Sequence, residues 1–185
     1  MLATETRPEA HGASQQDDVR AAFHALHGRS VHGFALLLTL GDRAAAARLA
    51  SDALAHAGAR VDELRHPERA AAWMRARIVR DALHGRRALR PNRDAVAELG
   101  ADDGVATALA SLDHFARAAL IASVVERLDL RDVAVVVGRD GSRLRRLIAR
   151  GRQRYADAYL GTDPGEIHDG PIATRLRDIA HRAIG

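Results

Sequence analysis

The chain has 185 residues, 28 basic and 24 acidic for a net charge of +4, with 47% hydrophobic residues and no cysteine. This is the balance of a globular protein and not of a disordered one, and the lack of thiols excludes a disulfide framework, a thiolate zinc site and a cysteine nucleophile. No apolar run approaches the roughly 18 residues of a membrane span, and residues 1–18 are polar where a signal peptide needs an apolar core, so a cytoplasmic protein is expected.

Residues 1–18 mix Thr, Glu, Pro, Gly, Ser, Gln and Asp without periodicity and are expected to form a mobile tail. From about Val19, Phe23, Leu26, Ser30, Val31 and Phe34 give a helical stripe that runs into Ala35-Leu36-Leu37-Leu38, and Gly41-Asp42 ends that helix and caps the next. The alanine-rich stretch from Arg43 to Val61 is strongly helix-forming, with Leu49, Ala53 and Leu54 inward. Pro67 breaks the chain and suits the first turn of a third helix, about Glu68 to Leu89, which buries Trp73, Ile78 and Leu83 and displays Arg75, Arg77, Arg80, Arg86 and Arg87.

Pro91 ends this regular structure, and residues 91–106, acidic and punctuated by Gly100 and Gly104, are expected to be an interdomain linker. Two nearly all-apolar helical segments follow, Ala108 to Leu112 and Phe115 to Arg127. In the next helix Leu130, Val133, Ala134 and Val137 share a face, Gly138 stops it, and Asp140 and Ser142 offer N-cap oxygens for a second helix. There Leu144, Ile148, Gly151 and Tyr155 face in, while Arg143, Arg146, Arg150 and Arg154 face out. A short helix, a glycine turn and a helix with a cationic outer face form a helix-turn-helix of the kind that lays a recognition helix in DNA's major groove. After a turn-rich break, Pro171 opens a last amphipathic helix with Ile172, Leu176, Ile179 and Ile184.

Every basic residue is arginine, and residues 75–93 and 139–154 each hold seven of them against one aspartate. The remainder of the chain is acidic, and a field segregated in this way suits a polyanion, because each phosphate contact releases counterions. His24, His27 and His32 lack the spacing and the companions of a zinc site. No nucleophile triad, phosphate-cradling glycine loop or paired carboxylate is evident, so neither a metal, nor a cofactor, nor catalysis is expected.

The order of elements resembles the extracytoplasmic-function (group 4) sigma factors of bacterial RNA polymerase over about residues 20–156. The likeness is closest from Ala108 onward: Ala108-Leu109-Ala110-Ser111-Leu112, Arg117, Leu120 and Glu126 fall on the family's A-L-x-x-L-P-x-x-x-R-x-x-L pattern and its following acidic residue. Leu128, Val133-Ala134, Gly138, Leu144, Ile148 and Arg150-Gly151 continue it in register. Leu38-Thr39, Gly41-Asp42-Arg43, Ala46, Leu49 and Ala72-Trp73-Met74 resemble the family's L-T-G-D-x-x-x-A-E-D-L and A-W-L segments.

The resemblance implies an all-α protein of two small helical domains: a region 2-like domain at 19–90, the linker, a region 4-like helix-turn-helix domain at 107–160, and a C-terminal tail at 161–185. It implies a role in promoter-specific transcription initiation, with core RNA polymerase, promoter DNA and an anti-sigma factor as partners. It puts −35 contacts on Ser142, Arg143, Arg145, Arg146, Arg150 and Arg154, −10 contacts on Arg75, Arg77, Arg80, Arg86 and Arg87, and polymerase docking on Arg48, Leu49, Ser51 and Asp52. The docking helix departs from the family pattern, with Ala47 and Arg48 in place of Glu-Asp, Ser51 in place of Gln, and Leu54 and Gly58 at its Phe and Trp positions. Asp113 stands in place of the pattern's proline, Arg139 in place of the usual apolar residue after the turn glycine, and Leu147 in place of a usual recognition-helix arginine. The departures at Ala47, Arg48, Ser51 and Gly58 favour an alternative, a degenerate sigma-like regulator that binds a protein partner. An independent helix-turn-helix regulator would need to be a dimer.

Overall fold

The structure, a computed structural model, describes residues 9–60, 67–83, 91–162 and 170–182. Among them all regular structure is helical: α1 (Glu9–Leu38), α2 (Arg43–Gly58), α3 (Pro67–Leu83), α4 (Arg93–Ala97), α5 (Asp103–Ser111), α6 (His114–Leu120) running on through a π-helical turn (Ile121–Val125), α7 (Leu130–Val137), α8 (Gly141–Leu160) and α9 (Pro171–Arg182). No helix of the described residues is long and apolar enough to cross a membrane.

The first helix starts earlier than the apolar stripe implies. Residues 9–18, expected in a mobile tail, already belong to α1, where helix-favouring Glu, Ala and Gln carry the propensity without any apolar periodicity. Residues 1–8 of that tail lie outside the described residues, as does the end of the third helix expected beyond Leu83. At its other end α1 is apolar all round: Phe34 to Leu38 are all buried, where each fully buried leucine contributes about 1.5–3 kcal/mol. α2 then packs along α1, and α3 along α2.

The stretch expected as a linker is part of the packed body. Asn92 and Asp102 serve as helix caps: Asn92 Oδ1 accepts from Ala95 N (3.2 Å) to start α4, and Asp102 Oδ1 accepts from Val105 N (2.8 Å) to start α5. Such caps contribute about 1 kcal/mol each. Ala95, Val96, Ala101, Val105 and Ala106 are buried in the same apolar cluster as α1 to α3 and α6 to α9. The Asn92 N–H donates to the Leu40 carbonyl (2.8 Å), and Ala173 N, in α9, donates to the Gly100 carbonyl (3.3 Å). Residues 91–106 are thus pinned between the first helices and the last.

Two buried arginines join the N-terminal helices to those that follow. Arg117 on α6 sends Nε to the Leu109 carbonyl, one terminal nitrogen to Leu38 at the end of α1 and the other to Leu112, each at 2.9 Å. Burial lowers its pKa to about 10, with the Asp113 carboxylate working the other way, so it remains a cation at neutral pH. Arg75 on α3 pairs with Glu126, just beyond the π-helical turn, and also donates to the Ala71 carbonyl (2.9 Å) and Ser30 Oγ (3.2 Å). His114 Nε2 donates to the Val79 carbonyl (2.8 Å), and α7 lies along α3.

Candidate nucleic-acid interface

The geometry of the helix pair begins with Asp129, whose Oδ1 accepts from Asp132 N (2.8 Å) and starts α7. Val133, Val136 and Val137 are its buried face, while Leu130 is exposed and Ala134 half-buried. The stripe is therefore rotated from the expected one, because α7 packs on α3, where Val136 and Val137 line a groove of about 310 Å³ with Trp73 and Val79. Gly138 ends α7 in the left-handed region (φ 62°, ψ 35°), where other residues are strained, and Arg139 N closes the turn on the Ala134 carbonyl (3.2 Å).

Asp140 occupies the N-cap of α8 by its backbone, with its carbonyl accepting from Leu144 N (3.1 Å), but its carboxylate makes no capping bond. Ser142 lies inside the first turn and does not cap it; its carbonyl accepts from Arg146 Nε (3.3 Å). Both expected capping oxygens are exposed and free of that role. The inner face of α8 is Leu144, Gly151, Tyr155, Ala156 and Tyr159, all buried, with Leu147 and Ile148 half-buried. Gly151 is where α8 passes α6, against Ala116.

At about 100° per residue, the direction opposite that inner face falls on Arg146, Gln153 and Asp157, with Ser142 and Ala149 toward one edge. All five are exposed, and Gln153 Nε2 donates to Asp157 Oδ1 (2.8 Å). The other arginines flank this strip: Arg145 and Arg152 on one side, Arg143, Arg150 and Arg154 on the other, every one exposed. On the second flank, Arg143, Arg146, Arg150 and Arg154 border a groove of about 390 Å³ between α8 and the start of α6. Arg139 completes its wall, its guanidinium held over the Phe115 ring at 4.9 Å. Gln153, Asp157 and Arg139 were missed by the sequence reading; measuring the helical angle from the middle of the buried stripe finds the first two.

The −10-side candidates do not form one exposed face. Arg75, expected on it, is 3% exposed and turned inward onto Glu126 and over the Phe34 ring (5.8 Å), because α3 is covered on that side. Arg77 is half-buried, 3.4 Å from Asp81 and 3.2 Å from His56 Nε2, whereas Arg80 is exposed. Arg86 and Arg87 lie outside the described residues. On α2, Leu49 is 2% exposed and belongs to the core and not to a docking face; Arg48 and Asp52 form an exposed i,i+4 pair at 3.8 Å beside exposed Ser51.

Comparison with family models, with curated proteins and with solved structures finds no match for this chain.

Proposed function

We propose that this protein is a sigma-type factor that directs promoter-specific transcription initiation, with α8 as its DNA-reading helix. The observation that carries this reading is α7, the left-handed Gly138 and α8, with an exposed polar strip flanked on both sides by arginines that have no ion-pair partner among the described residues. A major groove about 12 Å wide admits such a helix, its middle strip against base edges and its flanks toward the phosphates of the two strands. Arg146 and Gln153 have the chemistry for base edges, guanine and adenine respectively. Arg145 and Arg152 would face one strand, Arg143, Arg150 and Arg154 the other. Core RNA polymerase is the partner this role requires, and an anti-sigma factor a further one.

One observation favours the alternative of a sigma-like regulator that acts through a protein partner: Arg75 is held inside by Glu126 and α7 covers part of α3, leaving the −10 side incomplete. The two readings separate by experiment. The whole chain should bind duplex DNA with an affinity that falls by roughly two to three decades between about 50 and 200 mM salt, as five or so phosphate contacts require. It should co-purify with core polymerase and support run-off transcription. A flat salt dependence would overturn DNA reading by α8, and DNA binding without polymerase association would favour the alternative.

A further inference from the structure

The groove between α6 and α8 is more than the side of a DNA-reading helix. Five guanidinium groups, of Arg139, Arg143, Arg146, Arg150 and Arg154, surround it with one carboxylate, Asp113, and that carboxylate is engaged in accepting from Ala116 N at 2.9 Å as the cap of α6. None of the five arginines is in an ion pair among the described residues. The floor is apolar, made by Leu112, Ala116, Leu147 and Gly151. At about 390 Å³ the space is that of a small-molecule site. From Arg143 to Arg154 the wall runs about 16 Å along the helix. Like charges gathered this closely repel one another, and a guanidinium fork matches phosphate oxygens two at a time.

We propose that this groove is a binding site for a short oligophosphate, free or as the tail of a nucleotide, and that its occupant competes with DNA for one flank of α8. Its recess argues for a slender ligand. The base-facing strip of α8 shares only Arg146 with the groove, whose apolar floor of Leu112, Ala116, Leu147 and Gly151 lies between α8 and the start of α6. The site stands on the groove itself, while the competition rests on the DNA-reading proposal. Because the groove takes Arg143, Arg150 and Arg154 from the phosphate flank and Arg146 from the base-facing strip, an occupied groove weakens DNA binding and flattens sequence preference together.

Titration calorimetry on the whole chain at about 100 mM salt tests the site, with inorganic tripolyphosphate, a nucleoside triphosphate and inorganic monophosphate as probes. Tripolyphosphate should bind at least tenfold more tightly than monophosphate and raise the melting temperature. Tighter binding of the nucleoside triphosphate assigns the source to a nucleotide, and equal or weaker binding assigns it to the free oligophosphate. Arg139→Ala with Arg154→Ala should cost tenfold or more in tripolyphosphate affinity, whereas Arg145→Ala with Arg152→Ala, the same charge removed from the other flank, should cost less than twofold.

Equal losses from the two pairs, or equal affinity for monophosphate and tripolyphosphate, would overturn the proposal by reducing the groove to a diffuse cationic surface. DNA binding that needs Arg139 and Arg154, without any oligophosphate binding, would overturn it too and make the groove part of the DNA footprint. Oligophosphate that binds the groove while DNA affinity stays unchanged would uphold the site and remove α8 as the DNA-reading element.

Discussion

Arg75 and Glu126 show what a residue's neighbours do to a reading made from its own chemistry. An arginine on a long helix is ordinarily solvated or in contact with a ligand, but Arg75 falls where α3 meets the end of the π-helical turn, and there a carboxylate awaits it. Burial raises the Glu126 pKa, with Arg75 opposing, so the pair costs desolvation that its hydrogen bonds offset in part. The same cation reaches His27, a buried ring tilted against Phe23 at 4.6 Å whose Nε2 has no hydrogen-bond partner. Burial first, and the Arg75 charge second, push the His27 pKa below 6.5. The unfolded chain takes up that proton at about 6.5 while the folded chain resists it, so the contribution is intact above that pH and is lost as pH falls through it. The urea midpoint should therefore drop between pH 7.5 and 5.5 by an amount that His27→Gln removes, with a slope of at most about 1.4 kcal/mol per pH unit. If the His27→Gln variant keeps the full slope, other groups cause it.

At the scale of elements, α8 was legible and α3 was not, for the same physical reason. The buried stripe of α8 is a run of spaced apolar residues in an otherwise charged helix, so its outer face follows from periodicity. The cationic side of α3 carries no signal of what will cover it, since burial of Arg75 depends on Glu126, 51 positions along the chain. Residues 91–106 misled in the opposite direction. Their Asp and Gly content reads as a linker, yet an aspartate that caps a helix and one that solvates a loop look alike until the following residues are seen to be buried. Within α8 the angular order yields a prediction. Arg146→Ala or Gln153→Ala should cost roughly 1–3 kcal/mol on a preferred DNA sequence and flatten preference at one or two base positions, whereas Arg152→Ala should weaken all sequences alike and lower the salt slope by about one. Competition binding against a randomised DNA pool distinguishes these outcomes. Sequence-independent losses from all three substitutions would mean that α8 is only an electrostatic surface.

In the whole molecule, the contacts between the helices before Pro91 and those after it decide whether the chain behaves as one body or two. Apolar packing of α7 on α3 carries one core across the seam, beside a groove of about 310 Å³ lined by Trp73, Val79, Phe115, Val136 and Val137. Polar, directional bonds span it as well, namely Arg117 on the Leu38 carbonyl, His114 on the Val79 carbonyl and Arg75 on Glu126. Bonds of this kind transmit unfolding from one side to the other, because breaking the seam strands buried charges on both. Thermal unfolding of the intact protein should accordingly be a single transition with equal calorimetric and van't Hoff enthalpies. Glu126→Gln leaves Arg75 a buried cation without its counter-charge, at a cost of about 3–5 kcal/mol, and at about 2–4 °C per kcal/mol for a chain of this size the melting temperature should fall by roughly 10 °C. Replacing the pair together by Arg75→Met and Glu126→Leu should recover most of that loss, since it removes both charges from the interior. Two separate transitions in the unsubstituted protein would show instead that the halves fold independently and that the seam is weak.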